Sequence, residues 1–202
     1  MKLSNSIAAT GLSLAALIAL PVSAFGGEIR VGVSTHDVNV LNTRRQIENS
    51  TAVSGEYIFE TPKWLEWAAS ANPYVYGTLN LNGKTNHGGV GLNWRQSVGK
   101  FYAEFGTGLS AHDGTVRIVG DVDLSLPQPE LGIAINRFFD RFDKELEFGS
   151  RVLFRNQVAL GYEINDQWGA DVYYEHLSHA QILGGPQNDG LDNVGVRVSR
   201  KF

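Results

Sequence analysis

The sequence predicts an eight-stranded antiparallel β-barrel that crosses a lipid bilayer. Three observations carry this. Eight segments alternate apolar and polar residues with period two. The connections alternate between tight turns and longer polar stretches, as in barrels with short turns on one side and long loops on the other. The last segment is a closing strand with one apolar and one polar row.

Residues 1–24 read as a secretory signal, which leaves 25–202 as one barrel domain. Lys2 is the positive start, Ile7 to Val22 a small apolar run, and Val22-Ser23-Ala24 a small-residue cleavage site. Thr10, Gly11 and Ser13 break the run, which argues against a membrane anchor. In the first strand Ile29, Val31 and Val33 alternate with Arg30, Gly32 and Ser34. In the second Val53, Tyr57 and Phe59 alternate with Ser54, Glu56 and the less regular Ile58. Val75, Leu79 and Leu81 form the apolar row of the third strand, and Val90, Leu92 and Trp94 that of the fourth. Phe101, Ala103, Phe105 and Leu109 follow in the fifth, and Phe154, Val158, Leu160 and Tyr162 in the sixth. The seventh and eighth strands occupy the last part of the chain.

Ser97-Val98-Gly99 and Asn165-Asp166-Gln167 are the tight turns, and the stretches near 36–52, 83–87, 111–145 and 181–189 are the longer connections. Trp64, Leu65, Trp67 and Ala68 within 61–72 are compatible with a strand, an interfacial turn or a helix end. Phe138, Phe139, Phe142 and Leu146 have helical spacing, so 130–148 fits either a short helix in the third outer loop or a hairpin extension.

A backbone in lipid must satisfy its own hydrogen bonds, so the sheet has to close. In 192–202, Val194, Val196, Val198 and Phe202 point one way, and Asn193, Gly195, Arg197, Ser199 and Lys201 the other. The polar row is expected inside, with Arg200 reaching the interface near the chain end. A soluble lipocalin-like barrel reverses this logic and would crowd Glu104, Arg197, Lys201, Glu175 and Arg95 into an apolar pocket or its wall. The terminal aromatic resembles the assembly signal of bacterial outer-membrane barrels.

The formal charge is −4, and removal of Lys2 with the signal leaves the mature chain near −5. No basic run suggests nucleic acid. Without cysteine the chain forms no disulfide and no thiolate metal site. His36, His87 and His112 lack ligand spacing and read as solvated loop residues, while His176 and His179 fall on opposite strand faces and do not share a metal. Asp121-Val122-Asp123 and the acids of 140–147 lack a calcium-loop pattern. No metal or cofactor is expected.

The chemistry lies in the last hairpin. His176 and Ser178 are two apart on one strand and share a face. An imidazole beside a serine hydroxyl can take its proton, and a carboxylate on the other ring nitrogen fixes the tautomer. Asp192 can supply that carboxylate if it lies opposite His176. This register also makes both strands eleven residues long, close to the roughly 9–11 that cross a bilayer. The three side chains then share the apolar face with Val172, Tyr174 and Val194, near the outer edge of the lipid belt. Pairing the sixth and seventh strands around Asn165-Asp166-Gln167 puts Asn156 opposite His176, on the same face, where it can donate to an oxyanion or a substrate hydroxyl.

The segment His176-x-Ser178-x-Ala180 followed by Asn188-Asp189-Gly190-x-Asp192 resembles the lipid A 3-O-deacylase (PagL-type) family of outer-membrane barrels. The resemblance is best over about 146–202. It implies a bacterial outer-membrane esterase that removes the hydroxyacyl chain from the 3-position of lipid A, with lipopolysaccharide and membrane lipid as its partners. It implies Ser178 as nucleophile, His176 as general base and Asp192 in the acidic position, where the best-known members carry glutamate. Asn188 matches a family asparagine expected to help hold the oxyanion, whereas the residue after the serine, often asparagine, is His179 here. Oligomeric state stays open, a homodimer included. The rival readings are a non-enzymatic structural or surface-binding barrel, an outer-membrane phospholipase and an acyltransferase.

Overall fold

The computed structural model describes residues 26–40, 46–118, 122–185 and 187–202. The expected signal, 1–24, lies outside them. Eight antiparallel strands form a closed barrel in chain order: β1 (Gly27–His36), β2 (Ser50–Phe59), β3 (Asn72–Asn80), β4 (His87–Val98), β5 (Phe101–His112), β6 (Val152–Glu163), β7 (Trp168–Ser178) and β8 (Leu191–Lys201). β8 closes on β1 from Glu28↔Lys201 to His36↔Asn193. Among the described residues no strand edge is left unpaired, as a sheet in lipid requires.

Side-chain parity sorts the wall into two chemistries. Val33, Val75, Leu79, Val90, Phe105, Val158, Leu160, Val172 and Val196 stand exposed on the outside. Glu28, Arg30, Glu56, Glu104, Arg155, Asp171, Glu175 and Arg197 are buried inside. An apolar exterior around an ionic interior suits lipid and excludes the lipocalin-like arrangement. Ile58, the irregular residue of β2, is an inward residue and packs with Tyr74 and Tyr76.

The interior is a continuous ion-pair network. Arg30 makes a two-pronged contact with Glu104 at 2.6 and 2.7 Å and also reaches Glu28 at 2.6 Å. Arg155 bridges Glu56 at 3.0 Å and Glu175 at 2.7 Å, and Arg197 bridges Glu56 at 3.1 Å and Asp171 at 2.8 Å. Glu56 is the hub, since Arg30 also reaches it at 3.4 Å. Buried charges are tolerated only when paired, and removing one member strands the others. Glu56→Leu is therefore expected to lower stability by about 3–5 kcal/mol. Denaturant unfolding in lipid vesicles checks this, and an unchanged midpoint would reject it.

At the long-loop end, Leu146, Phe148, Leu153, Leu177 and Leu191 form an apolar plug in the lumen, with Ile47 packed on it. The histidines expected in solvent are buried there too. His36, His87 and His112 have the inward parity of their strands, and the loops close over them. His36 Nε2 lies 3.2 Å from Glu48, His87 Nδ1 3.1 Å from the Tyr76 hydroxyl, and His112 Nε2 2.7 Å from the Ser150 carbonyl. Burial works to raise the Glu48 carboxyl, but hydrogen bonds from His36 and Thr85 hold it below the usual carboxylate range.

The two ambiguous stretches resolve simply. Lys63–Leu65 is a single 3-10 turn at the opposite end from the plug, with Leu65 buried and Trp64 and Trp67 71% and 84% exposed. Exposed tryptophans flanking an apolar belt match an interfacial girdle. The loop between β5 and β6 contains α1 (Glu130–Lys144), so helical spacing rather than hairpin alternation describes it. No residue of α1 is buried.

Candidate active site

The last hairpin adopts the register that brings His176 opposite Asp192. Both strands are eleven residues long. Ser178, His176 and Tyr174 have outward parity on β7, as do Asp192 and Val194 on β8. Their inward neighbours, Leu177 and Leu191, are register partners within the apolar plug. The outer cluster is thus mounted on a packed interior, which restrains its geometry.

His176 Nδ1 lies 2.5 Å from Asp192 Oδ1, and His176 Nε2 lies 3.1 Å from Ser178 Oγ. A carboxylate only accepts, so Nδ1 carries the hydrogen and the Nε2 lone pair faces the serine hydroxyl. That tautomer lets an imidazole take a hydroxyl proton. The Asp192 side chain is 1% exposed and that of His176 23%. A carboxylate on a lipid-facing wall needs hydrogen bonds to offset its lost hydration.

One of these comes from a residue that sequence reasoning placed on this face without a role. The Tyr174 hydroxyl donates to Asp192 Oδ1 at 2.8 Å. The same carboxylate oxygen therefore receives both the tyrosine and the imidazole. The legible signal was position: Tyr174 is two residues before His176, and its ring is long enough to reach diagonally across to β8.

The other expected residues are placed as follows. Asn156 lies opposite His176 on β6, exposed on the outside, and its Oδ1 accepts from Thr107 Oγ1 at 2.8 Å. Asn188 lies in the loop before β8, where its Oδ1 accepts the backbone N–H of His179 at 3.2 Å. The His179 ring is fully buried, with Nε2 2.7 Å from the Gln187 carbonyl. Both the backbone and the side chain of His179 thus pin the loop after Ser178 to the chain ahead of β8. Ala180 and Gln181 have positive φ, 52° and 57°, so the chain turns sharply just beyond the serine. Among the described residues, no group of three or more His, Asp or Glu has the arrangement of a metal site.

The sequence model described as lipid A 3-O-deacylase (PagL) matches residues 51–201. No curated protein sequence matches the chain. The crystal structure of the outer membrane enzyme PagL is similar with a TM-score of 0.55 at 13% identity, covering 85% of this chain and 97% of that one. A de novo designed transmembrane β-barrel has a TM-score of 0.48 at 11% identity, over 88% of this chain and 96% of its own. The N-terminal barrel domain of Pseudomonas aeruginosa OprF has a TM-score of 0.47 at 8% identity, over 88% and 99%. At such identities the likeness to solved structures is one of fold.

Proposed function

The chain belongs to the lipid A 3-O-deacylase (PagL) family, and from that premise we propose that it is a serine esterase that releases the 3-linked hydroxyacyl chain of lipid A in the outer leaflet of a bacterial outer membrane. The observation that carries the reading is the Asp192–His176–Ser178 hydrogen-bonded chain on the wall that meets lipid.

In this reading Ser178 Oγ attacks the ester carbonyl carbon as His176 Nε2 takes its proton. Asp192 holds Nδ1–H and balances the imidazolium. The tetrahedral intermediate expels the sugar oxygen, which takes the proton back from His176. Water, deprotonated by the same nitrogen, then attacks the acyl-serine and frees a 3-hydroxy fatty acid. Asn188 is the candidate oxyanion donor. Its Oδ1 is engaged by His179 N–H, so its Nδ2 is the end that can donate. Asn156 is the candidate substrate-positioning group. Asp192 is one methylene shorter than the glutamate of the best-known members, and its place directly opposite His176 supports the reach this role needs.

The test is purified protein in detergent incubated with lipid A and, separately, with glycerophospholipid, read by mass spectrometry. Loss of one hydroxyacyl mass from lipid A is expected. Intact lipid A together with intact phospholipid would favour a non-enzymatic barrel, and lysophospholipid alone would favour a phospholipase.

A further inference from the structure

Thr107, Asn156, His176 and Asp192 are successive register partners across β5, β6, β7 and β8. All four have outward parity, so one rung of the wall is polar over four strands. The same-face neighbours of the first two are apolar: Phe105 and Leu109 flank Thr107, and Phe154 and Val158 flank Asn156. Polar side chains on a lipid-facing surface are costly and call for a reason. Hydrolysis supplies one for His176 and Asp192 but none for Thr107.

The pair is ordered. Thr107 Oγ1 donates to Asn156 Oδ1 at 2.8 Å, which turns the amide oxygen toward β5. The planar amide therefore directs its two Nδ2 hydrogens away from β5, toward the β7 side. Both ring nitrogens of His176 are already engaged, by Asp192 and Ser178. Among the described residues, Nδ2 of Asn156 has no protein partner. Thr107 thus sets the amide so that Nδ2 is directed to donate to an oxygen of the ligand.

We propose that Thr107 and Asn156 form a subsite that reads a hydroxyl on the third carbon of the scissile acyl chain; this rests on the esterase reading above. Asn156 is one strand spacing, about 4.8 Å, from His176. It is diagonal to Ser178, about 7–8 Å away at the backbone. A carbonyl carbon held at Ser178 Oγ and a hydroxyl oxygen three bonds along the chain span the gap between the side chains. Asn156 Nδ2 donates to that hydroxyl oxygen, and Thr107 Oγ1 holds the amide in the orientation that presents Nδ2. An acyl chain without the hydroxyl leaves the pair unmatched, the situation in which a polar site rejects a substrate.

The test uses purified full-length protein in detergent micelles and two esters of one alcohol and equal chain length, with and without the 3-hydroxyl. Wild type is expected to favour the hydroxylated ester by roughly tenfold or more in kcat/KM. In Thr107→Val and in Asn156→Leu that ratio is expected to fall to near one. Both substitutions place apolar groups on the lipid face, which favours the barrel, and far-UV circular dichroism confirms folding. Equal losses on both esters, with the ratio kept, would overturn the proposal and make Asn156 an oxyanion donor. Absence of any preference in wild type would also overturn it, leaving the pair as a site for interfacial water. Hydrolysis of neither ester would defeat the esterase reading itself, so the two failures are distinguishable.

Discussion

Ser178→Ala is expected to abolish release of the hydroxyacyl chain, lowering turnover on lipid A by about 10^3-fold or more, in a barrel that folds as wild type does. Without Oγ there is no atom 3.1 Å from His176 Nε2 to carry the acyl group. Any residual reaction must proceed by direct attack of water. The substitution leaves an apolar methyl on a lipid-facing wall, so no loss of stability accompanies it. A mass-spectrometric time course on lipid A measures the effect, with circular dichroism as the folding control. Turnover within tenfold of wild type would remove Ser178 from the mechanism.

Asp192→Asn is expected to lower kcat by about 10^2–10^4-fold with a much smaller change in KM. The carboxylate accepts from both His176 Nδ1 and the Tyr174 hydroxyl on one oxygen. An asparagine presents one carbonyl oxygen for those two donors, or turns its amide hydrogens toward the ring and reverses the tautomer. Either way the positive charge that develops on the imidazole loses its counter-charge. Asp192→Glu keeps that charge and is expected to lose far less activity. Steady-state kinetics on the three proteins decide the matter. An Asp192→Asn enzyme as active as wild type would mean that the imidazole needs no carboxylate.

Much of this architecture is legible in the sequence because lipid leaves the wall few choices. Parity alone assigns Arg30, Glu104, Arg155 and Arg197 to the interior, and their ion pairs follow from having nowhere else to go. The register of the last hairpin is constrained twice, by strand length and by the need to bring Asp192 to His176, and both constraints select the same pairing. The histidines were misread because loop residues are presumed wet. His36 and His112 obey strand parity to the last residue, and their burial is decided by the closure of distant loop segments such as Glu48 and Ser150. Tyr174 and Thr107 escaped for a related reason. Each looks like an ordinary strand former, and its role emerges only from the neighbour across the rung. The stretch at 61–72 stayed ambiguous because Trp64 and Trp67 suit an interface in any secondary structure.

The position of Ser178 on the outside of the cylinder changes what concentration means for this protein. Under the proposed function, a nucleophile that opens sideways would meet its substrate by diffusion in a plane, not from solution. Its rate would then follow the surface mole fraction of lipid A in the film, and dilution with inert amphiphile at a fixed bulk amount is expected to slow it. A fatty acid freed by that reaction would also start its life within the film, a competitor for the same wall until it disperses.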